Sequence, residues 1–496
     1  MSKILQGGRI PHASKDVVSF ISSIKSDRRL LQAVIKINQA HVVMMMEEEI
    51  INWTQGSKIL EILKQLSDMK LKPSTEDVHM AVEEEVLKRG GSEVGGNLHI
   101  AKSRNDQVST AIRMELREIL IRLMSHLFNL QQAIIKLAEK HVRTILLGYT
   151  HLQPAQPITL AHHLLSYVDS LERDLQRLEE CYKRVNLCPM GSGALATSSF
   201  PVNRERLAEL LGFTGILENS MDAVGSRDFI LETLAGTTIT AMDISRIAED
   251  LILWSCPDFG IIELPDSYSS TSSIMPQKKN PDVLEVIRAR TSHLLGNFVT
   301  SATTLKSLPS SYNLDLQEIT PRLWESLGKI INSLKMLTQL FPKLKVSQKT
   351  FKKELLSFSA STELANFLVR EKGVPFRTAH KIVGSLVRVL KDSNLTFFDV
   401  TSELLQEVIQ DHGLELEIET EDIKRFEDPI KLVEAYQVKG GPSPVEVEKM
   451  IFTRKEWIER SQSQLSVKKL HLKEAKDNLQ SVIDSYSSKT EIMEED

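Results

Sequence analysis

Apolar residues recur every three or four positions over long stretches in the middle of the chain, the spacing of amphipathic helices. The longest stretch runs from Gln107 to about Val142, with Val108, Ile112, Leu116, Ile119, Leu123, Leu127, Leu130, Ile134 and Leu137 on one face. A second passes through Leu160, Leu164, Val168, Leu171, Leu175 and Leu178, and a third covers about Phe229 to Trp254. A fourth starts at Pro281, and a fifth runs through Leu323, Leu327, Ile330, Leu334 and Leu337. Flanking positions such as Ile121, Met124 and Phe128 are apolar too, so these helices are expected to bury more than one side, as in a bundle within an oligomer. Strand signals are scarce; the clear alternation, Leu414–Glu419, reads as a short strand or extended segment. The expected fold is mainly α, in three regions: an N-terminal helical domain over 1–102, a central bundle over 103–350 and a smaller C-terminal helical domain over 351–496 with a frayed acidic tail, Glu491–Asp496.

Composition narrows the function classes. The 496 residues are 41% hydrophobic and 26% charged, an ordinary globular balance that affords a large core. Net charge is -5, from 61 basic and 66 acidic side chains interspersed, which argues against nucleic acid as a partner. No apolar run nears the roughly 20 residues needed to span a bilayer, and the Val42–Met46 run reads as core. The first residues carry no apolar stretch of the secretory kind. Three cysteines without a CxxC suggest reduced thiols and a cytoplasmic protein.

Four polar segments interrupt the helical pattern. Ser269-Ser-Thr-Ser-Ser-Ile-Met-Pro-Gln-Lys-Lys-Asn-Pro-Asp282 is a hydroxyl-rich loop with two cations, leading into a helix for which Asn280 is the expected N-cap. Such a loop offers hydroxyls, backbone N–H groups and a lysine to an anion. Gly148-Tyr-Thr-His-Leu-Gln-Pro-Ala-Gln-Pro157 places Thr150 and His151 on an extended approach to the next helix, where a histidine can exchange protons near neutral pH. Ser103-Arg-Asn-Asp-Gln107 precedes the longest helix; Asn105 or Asp106 can cap it, and Arg104 can grip a carboxylate with its planar fork. Tyr312-Asn-Leu-Asp-Leu-Gln-Glu318 is a polar cluster before the fifth helix. Taken singly, each has an ordinary reading as a capped or connecting loop, and that reading is the more economical. Gly191-Ser-Gly193 follows no credible strand and is discounted as a dinucleotide loop. His162 and His163 are adjacent on a helix and make a poor metal pair.

Together and in this order, the segments resemble the fumarase/aspartase superfamily. TSSIMPQKKNPD is similar to its signature loop, and YTHLQPAQPIT with LHIAKSRNDQV narrows the resemblance to argininosuccinate lyases and their lens-crystallin relatives. Further matches are GGRI near Gly7, SSIKSD at Ser22–Asp27, EDVHMAVE at Glu76–Glu83, NSMDAVGSRDF at Asn219–Phe229 and VPFRTAHKIVG at Val374–Gly384. The resemblance implies a three-domain fold whose long-helix bundle forms the core of a homotetramer with composite active sites. It implies elimination of fumarate from argininosuccinate to leave arginine, with no cofactor and no metal. Ser272 would act on the Cβ proton, and His151, supported by Glu285, would be the second acid/base group. Lys278 and Asn280 would hold the reacting carboxylate. Ser23, Asp27, Asn105, Thr150, Tyr312 and Gln317 would bind the rest of the substrate, with Arg104 nearby. Three departures from the family's usual residues stand out: Thr271 replaces a glycine, His99-Ile-Ala-Lys102 replaces His-Thr-Gly-Arg and alters the turn before Arg104, and Thr320 replaces a substrate-binding lysine, marking a changed contact to the arginine end. The alternatives are another fumarate-releasing lyase, of the adenylosuccinate lyase kind, and a crystallin-like structural protein.

Overall fold

The computed structural model describes residues 14–72, 75–347, 358–426 and 428–495, with side chains described as far as Tyr486. The GGRI segment near Gly7 lies outside these residues. The N-terminal helices α1 (Leu31–Glu47), α2 (Trp53–Lys64) and α3 (Val78–Val94) precede the longest helix of the bundle, α4 (Arg104–Lys140). A hairpin of β1 (Ile145–Thr150) and β2 (Gln153–Thr159) leads into α5 (Leu160–Val185), and α6 (Asp228–Ser255) follows. A small ladder of β3 (Ser270–Thr271) and β4 (Lys279–Asn280) precedes α7 (Asp282–Leu305) and α8 (Leu316–Leu340). Every helix expected from the apolar spacing of the central region is present.

Helix α4 is buried on several sides, because Ile121, Met124 and Phe128 join the main face in the core. Its start is capped by Ser103, whose hydroxyl accepts from Asn105 N while Ser103 N donates to Asp106, a reciprocal capping box. Asn105 is therefore not the cap. Arg113 and Arg117 are buried within α4, where a hydrophobic pattern does not call for charge. They donate to Arg184 O, at the C-terminal end of α5, and to Gly212 O, just past a short helix over Arg204–Leu210, so each cation meets the negative end of a helix.

Two apolar clusters form the interior. The larger joins the N-terminal helices, the bundle and the final helix, α10 (Pro444–Glu495), through Val447, Ile458, Leu465 and Ile483. The smaller lies between Ala360 and Leu432, around α9 (Phe376–Asp392). The Val42–Met46 run is fully core. Of the acidic end expected to fray, Glu491–Glu495 falls on the last turns of α10, beyond the described side chains, and Asp496 lies outside the described residues.

Of the two forms expected for Leu414–Glu419 the extended one is found: it pairs with no strand among the described residues, and Ile418 is buried while the glutamates stay in solvent. Two local expectations are corrected. The segment around His151 is a hairpin rather than a lead-in to the helix: Tyr149 pairs with Pro154 and Leu147 with Pro157, and Thr159 caps α5. Proline is tolerated because the ribbon has two free edges. Asn280 pairs with Ser270 in the β3–β4 ladder, and Pro281 takes the cap position without a side-chain cap bond.

Candidate active site

The sequence-derived candidates fall into two groups at opposite ends of the bundle. At the start of α4 lie Ser23, Asp27, Arg104, Asn105, Tyr312 and Gln317. The Ser23 hydroxyl donates to the Asp27 carboxylate, Gln317 Nε2 donates to Ile21 O at 2.8 Å, and Asn105 Nδ2 donates to Ala194 O at 3.0 Å. Arg104 sits 3.2 Å from Asp77 and 3.6 Å from Glu83. Both acids lie in the EDVHMAVE segment, but nothing in their spacing ties them to Arg104; only packing of α3 against α4 does. Burial raises the Asp27 carboxyl to about 6, helped by the Asp77 charge and opposed by Ser23, Ser26 and Arg104. Asp106 accepts from Gly191 N at 3.2 Å and Gly193 N at 2.9 Å. The Gly191–Gly193 loop thus grips the start of α4, and Asn105 beside it is held in place. Thr320, expected to touch the arginine end of a substrate, is buried in α8.

At the other end lie Thr150, His151, Ser272, Lys278, Asn280 and Glu285. His151 and Leu152 form the two-residue tip of the hairpin, with φ of +55° and +57°. The tip has the left-handed pair that a tight hairpin demands, without the usual glycine or asparagine. His151 is exposed and overhangs a cavity of about 850 Å³ lined by Tyr149, Thr150, His163, Asp250, Trp254 and Phe259. Below it, His163 Nε2 lies 2.9 Å from the Tyr167 hydroxyl, which donates to Asp250 at 2.8 Å. His162 Nε2 instead lies 3.1 Å from Gly440 O, so the adjacent histidines diverge.

The signature loop is braced at its base by the β3–β4 ladder. Ser272 Oγ accepts from Ile274 N at 3.3 Å and Met275 N at 3.1 Å. Those two N–H groups are the kind of donors that stabilise charge on a serine oxygen. The two lysines differ. Lys279 Nζ is held by Asp266 at 2.7 Å and Glu263 at 3.3 Å, whereas the exposed Lys278 pairs with no carboxylate among the described residues. Glu285 is exposed in the first turn of α7.

The 37 residues of α4 separate the two groups by roughly 55 Å at about 1.5 Å per residue. One chain therefore gathers the Arg104 group at one end of α4 and leaves the His151 tip and the signature loop at the other, and the cavity under His151 takes no lining from that loop.

A family profile described as lyase matches residues 18–296, and an argininosuccinate lyase C-terminal profile matches residues 358–434. An argininosuccinate lyase of Methanocaldococcus jannaschii is 44% identical over 483 residues, covering 96% of this chain and 99% of the relative. Among solved structures, EDDS lyase in complex with formate is 31% identical with a TM-score of 0.87, each chain being covered to 92%. An EDDS lyase variant with bound fumarate is 30% identical with a TM-score of 0.85, again over 92% of each chain. With both profiles matched and close similarity along nearly its whole length, the chain belongs to the argininosuccinate lyase family.

Proposed function

We propose that this protein eliminates fumarate from argininosuccinate and releases arginine, as the last step of arginine biosynthesis in the cytoplasm. The observation that carries the reading is the signature loop, where the Ser272 oxygen already accepts two backbone N–H groups and Lys278 is left without a carboxylate partner among the described residues. The reaction breaks a C–N bond beta to a carboxylate. The Cβ–H is weakly acidic, so its electrons must spread into that carboxylate, and fixed donors with a cation stabilise the resulting charge best. Lys278 and Asn280 supply them. Ser272, as the alkoxide that the Ile274 and Met275 N–H groups stabilise, takes the Cβ proton and becomes the hydroxyl, the C–N electrons leave with the guanidinium nitrogen, and His151, supported by Glu285, returns a proton to that nitrogen. The Arg104 group holds the arginine portion.

No chain can do this alone if both groups serve one substrate, because they stand at opposite ends of α4. Antiparallel packing of symmetry-related bundles in a homotetramer joins one end to the other. Apolar residues left open on α6 and α7, among them Met242 at 43% and Val299 at 49% exposure, supply a face for that packing. No helix among the described residues is long and apolar enough to cross a membrane. The test is appearance of the ultraviolet absorbance of fumarate from argininosuccinate, with adenylosuccinate as the competing substrate. Turnover of adenylosuccinate alone would replace this reading with the other lyase; turnover of neither would favour the structural role.

A further inference from the structure

One segment singled out in the sequence, Val374–Gly384, takes no part in the reaction above. It runs into α9, and that helix lines a cavity of about 690 Å³, a volume suited to a small molecule. The facing wall is Gln153 and Pro154, just past the His151 tip, and none of the candidate site residues lines the cavity. Its floor is apolar, with Ala365 and Val383 buried.

The open face of α9 is basic. Arg377, Lys381, Arg388 and Lys391 are exposed and pair with no carboxylate among the described residues, whereas Arg370, Lys372 and Arg425 nearby each hold one. Positions 377, 381, 384, 388 and 391 follow steps of four and three, so they share one side of the helix. Lys391 and His380 reach the cavity itself. The Lys391 ammonium stands 5.7 Å from the centre of the Phe358 ring, which places the charge at the wall without neutralising it. Helical side chains lean toward the N-terminus, so Lys391 reaches back in the direction of Gly384. At the other end the Phe376 ring is 54% exposed and lies 6.3 Å from the His380 ring.

Gly384 is the independent sign of a vacancy meant for a ligand. Glycine inside a helix costs about 1 kcal/mol relative to alanine. The other two glycines between 358 and 434, Gly373 and Gly413, sit at φ +68° and +77°, where the backbone calls for glycine. Gly384 is helical and has no such reason. Apart from its own stretch of helix, nothing stands within 4 Å of where its Cβ would be, so the missing side chain serves no close packing and leaves room in the cavity wall.

We infer that this cavity is a second ligand site, separate from the elimination site, for a small organic anion whose aromatic body lies over Phe376 and Gly384 and whose single carboxylate or phosphate group turns to Lys391. The exposed phenyl ring offers a stacking face. The apolar floor takes the body of the ligand out of water. The unpaired cations along α9 draw the charged end in.

The experiment is calorimetric titration of the full-length assembled protein with phenylacetate and with phenyl phosphate. Inorganic phosphate, which lacks the ring, and benzyl alcohol, which lacks the charge, are the comparison ligands. At least one aromatic anion should bind with a Kd of about 1 mM or tighter, and both comparison ligands at least about tenfold more weakly. The tighter of the two aromatic anions identifies the headgroup. Gly384→Leu fills the room above the helix and improves its helix propensity. It should weaken the aromatic anion about tenfold without lowering the urea midpoint. Lys391→Gln should weaken it about fivefold. Binding that survives both substitutions would put the ligand elsewhere and overturn the inference, as would no binding at all. Benzyl alcohol held as tightly as phenylacetate would reduce the cavity to an apolar hollow, and inorganic phosphate held as tightly as phenyl phosphate would reduce α9 to diffuse charge; either result also overturns it. If Gly384→Leu does not assemble, Lys391→Glu carries the test, with charge reversal expected to abolish binding.

Discussion

Single residues carry the departures from the family pattern. Ala101, in the turn before α4, is held at φ +59°. An L-residue with a Cβ pays about 1 kcal/mol or more there, partly offset by the greater freedom glycine has in the unfolded chain. Ala101→Gly should therefore stabilise the protein by about 0.5 kcal/mol; a lower urea midpoint in the variant would contradict this. Its neighbour Lys102 is buried beside Asn38, and burial pulls its ammonium down to about 7, against the opposing charges of Glu83 and Asp106. Between about pH 7 and the ordinary lysine range, the unfolded chain binds a proton at this position that the folded chain does not. Stability from this group therefore rises with pH across that window. Denaturation at pH 7 and pH 9 should show a larger gain in wild type than in Lys102→Met, and parallel gains would remove Lys102 as the source.

At the scale of elements, the chemistry is presented on two short ribbons rather than on the helices. The β3–β4 ladder braces a loop in which Ser272 Oγ collects the N–H groups of Ile274 and Met275. Ser272→Ala should abolish turnover while leaving helix content and assembly unchanged. Ser273→Ala, which removes an exposed neighbouring hydroxyl, should not. Near-wild-type turnover in a folded Ser272→Ala protein would take Ser272 out of the mechanism. The β1–β2 tip holds His151 in the left-handed region. Asparagine tolerates that conformation, so His151→Asn keeps the turn and tests the imidazole. It should slow the reaction less completely than Ser272→Ala, since water replaces a proton donor in part. Neither ribbon was legible in the apolar spacing: Pro154 and Pro157 argue against a strand in a sequence reading, and a two-residue ladder leaves no periodic trace.

For the whole molecule, the question is which chain supplies which group. Asn105 and Ser272 belong to opposite ends of the bundle, so a substrate that needs both must bind where chains meet. Asn105→Ala and Ser272→Ala proteins should each be nearly inactive. Mixed tetramers made by co-refolding them should regain about one site in four, assuming random assembly of chains. Confirmed mixed tetramers as inactive as either parent would sink the composite site. His151 and Ser272 share one end, so the same mixing applied to that pair reports whether they also come from separate chains.

The sequence by itself determined the helical class, the central helices and the order of the four polar segments, because each depends on spacing along one chain. It also marked Ser272 and Lys278 as residues to test, through a resemblance rather than through local chemistry. Tertiary structure decided what spacing cannot carry. Arg104 meets Asp77 and Glu83 only because α3 packs on α4, and the glycine loop at Gly191 serves as an anchor for Asp106 rather than a nucleotide cradle. Asn280 lost its expected cap to a strand pair with Ser270, and the want of acid partners for the cations of α9 among the described residues is visible only once their surroundings are known. The physical reason is common to all of these: hydrogen-bond and charge partners are chosen by proximity in space, after the helices have packed, and a hydrophobic period records which face is buried but not what that face meets.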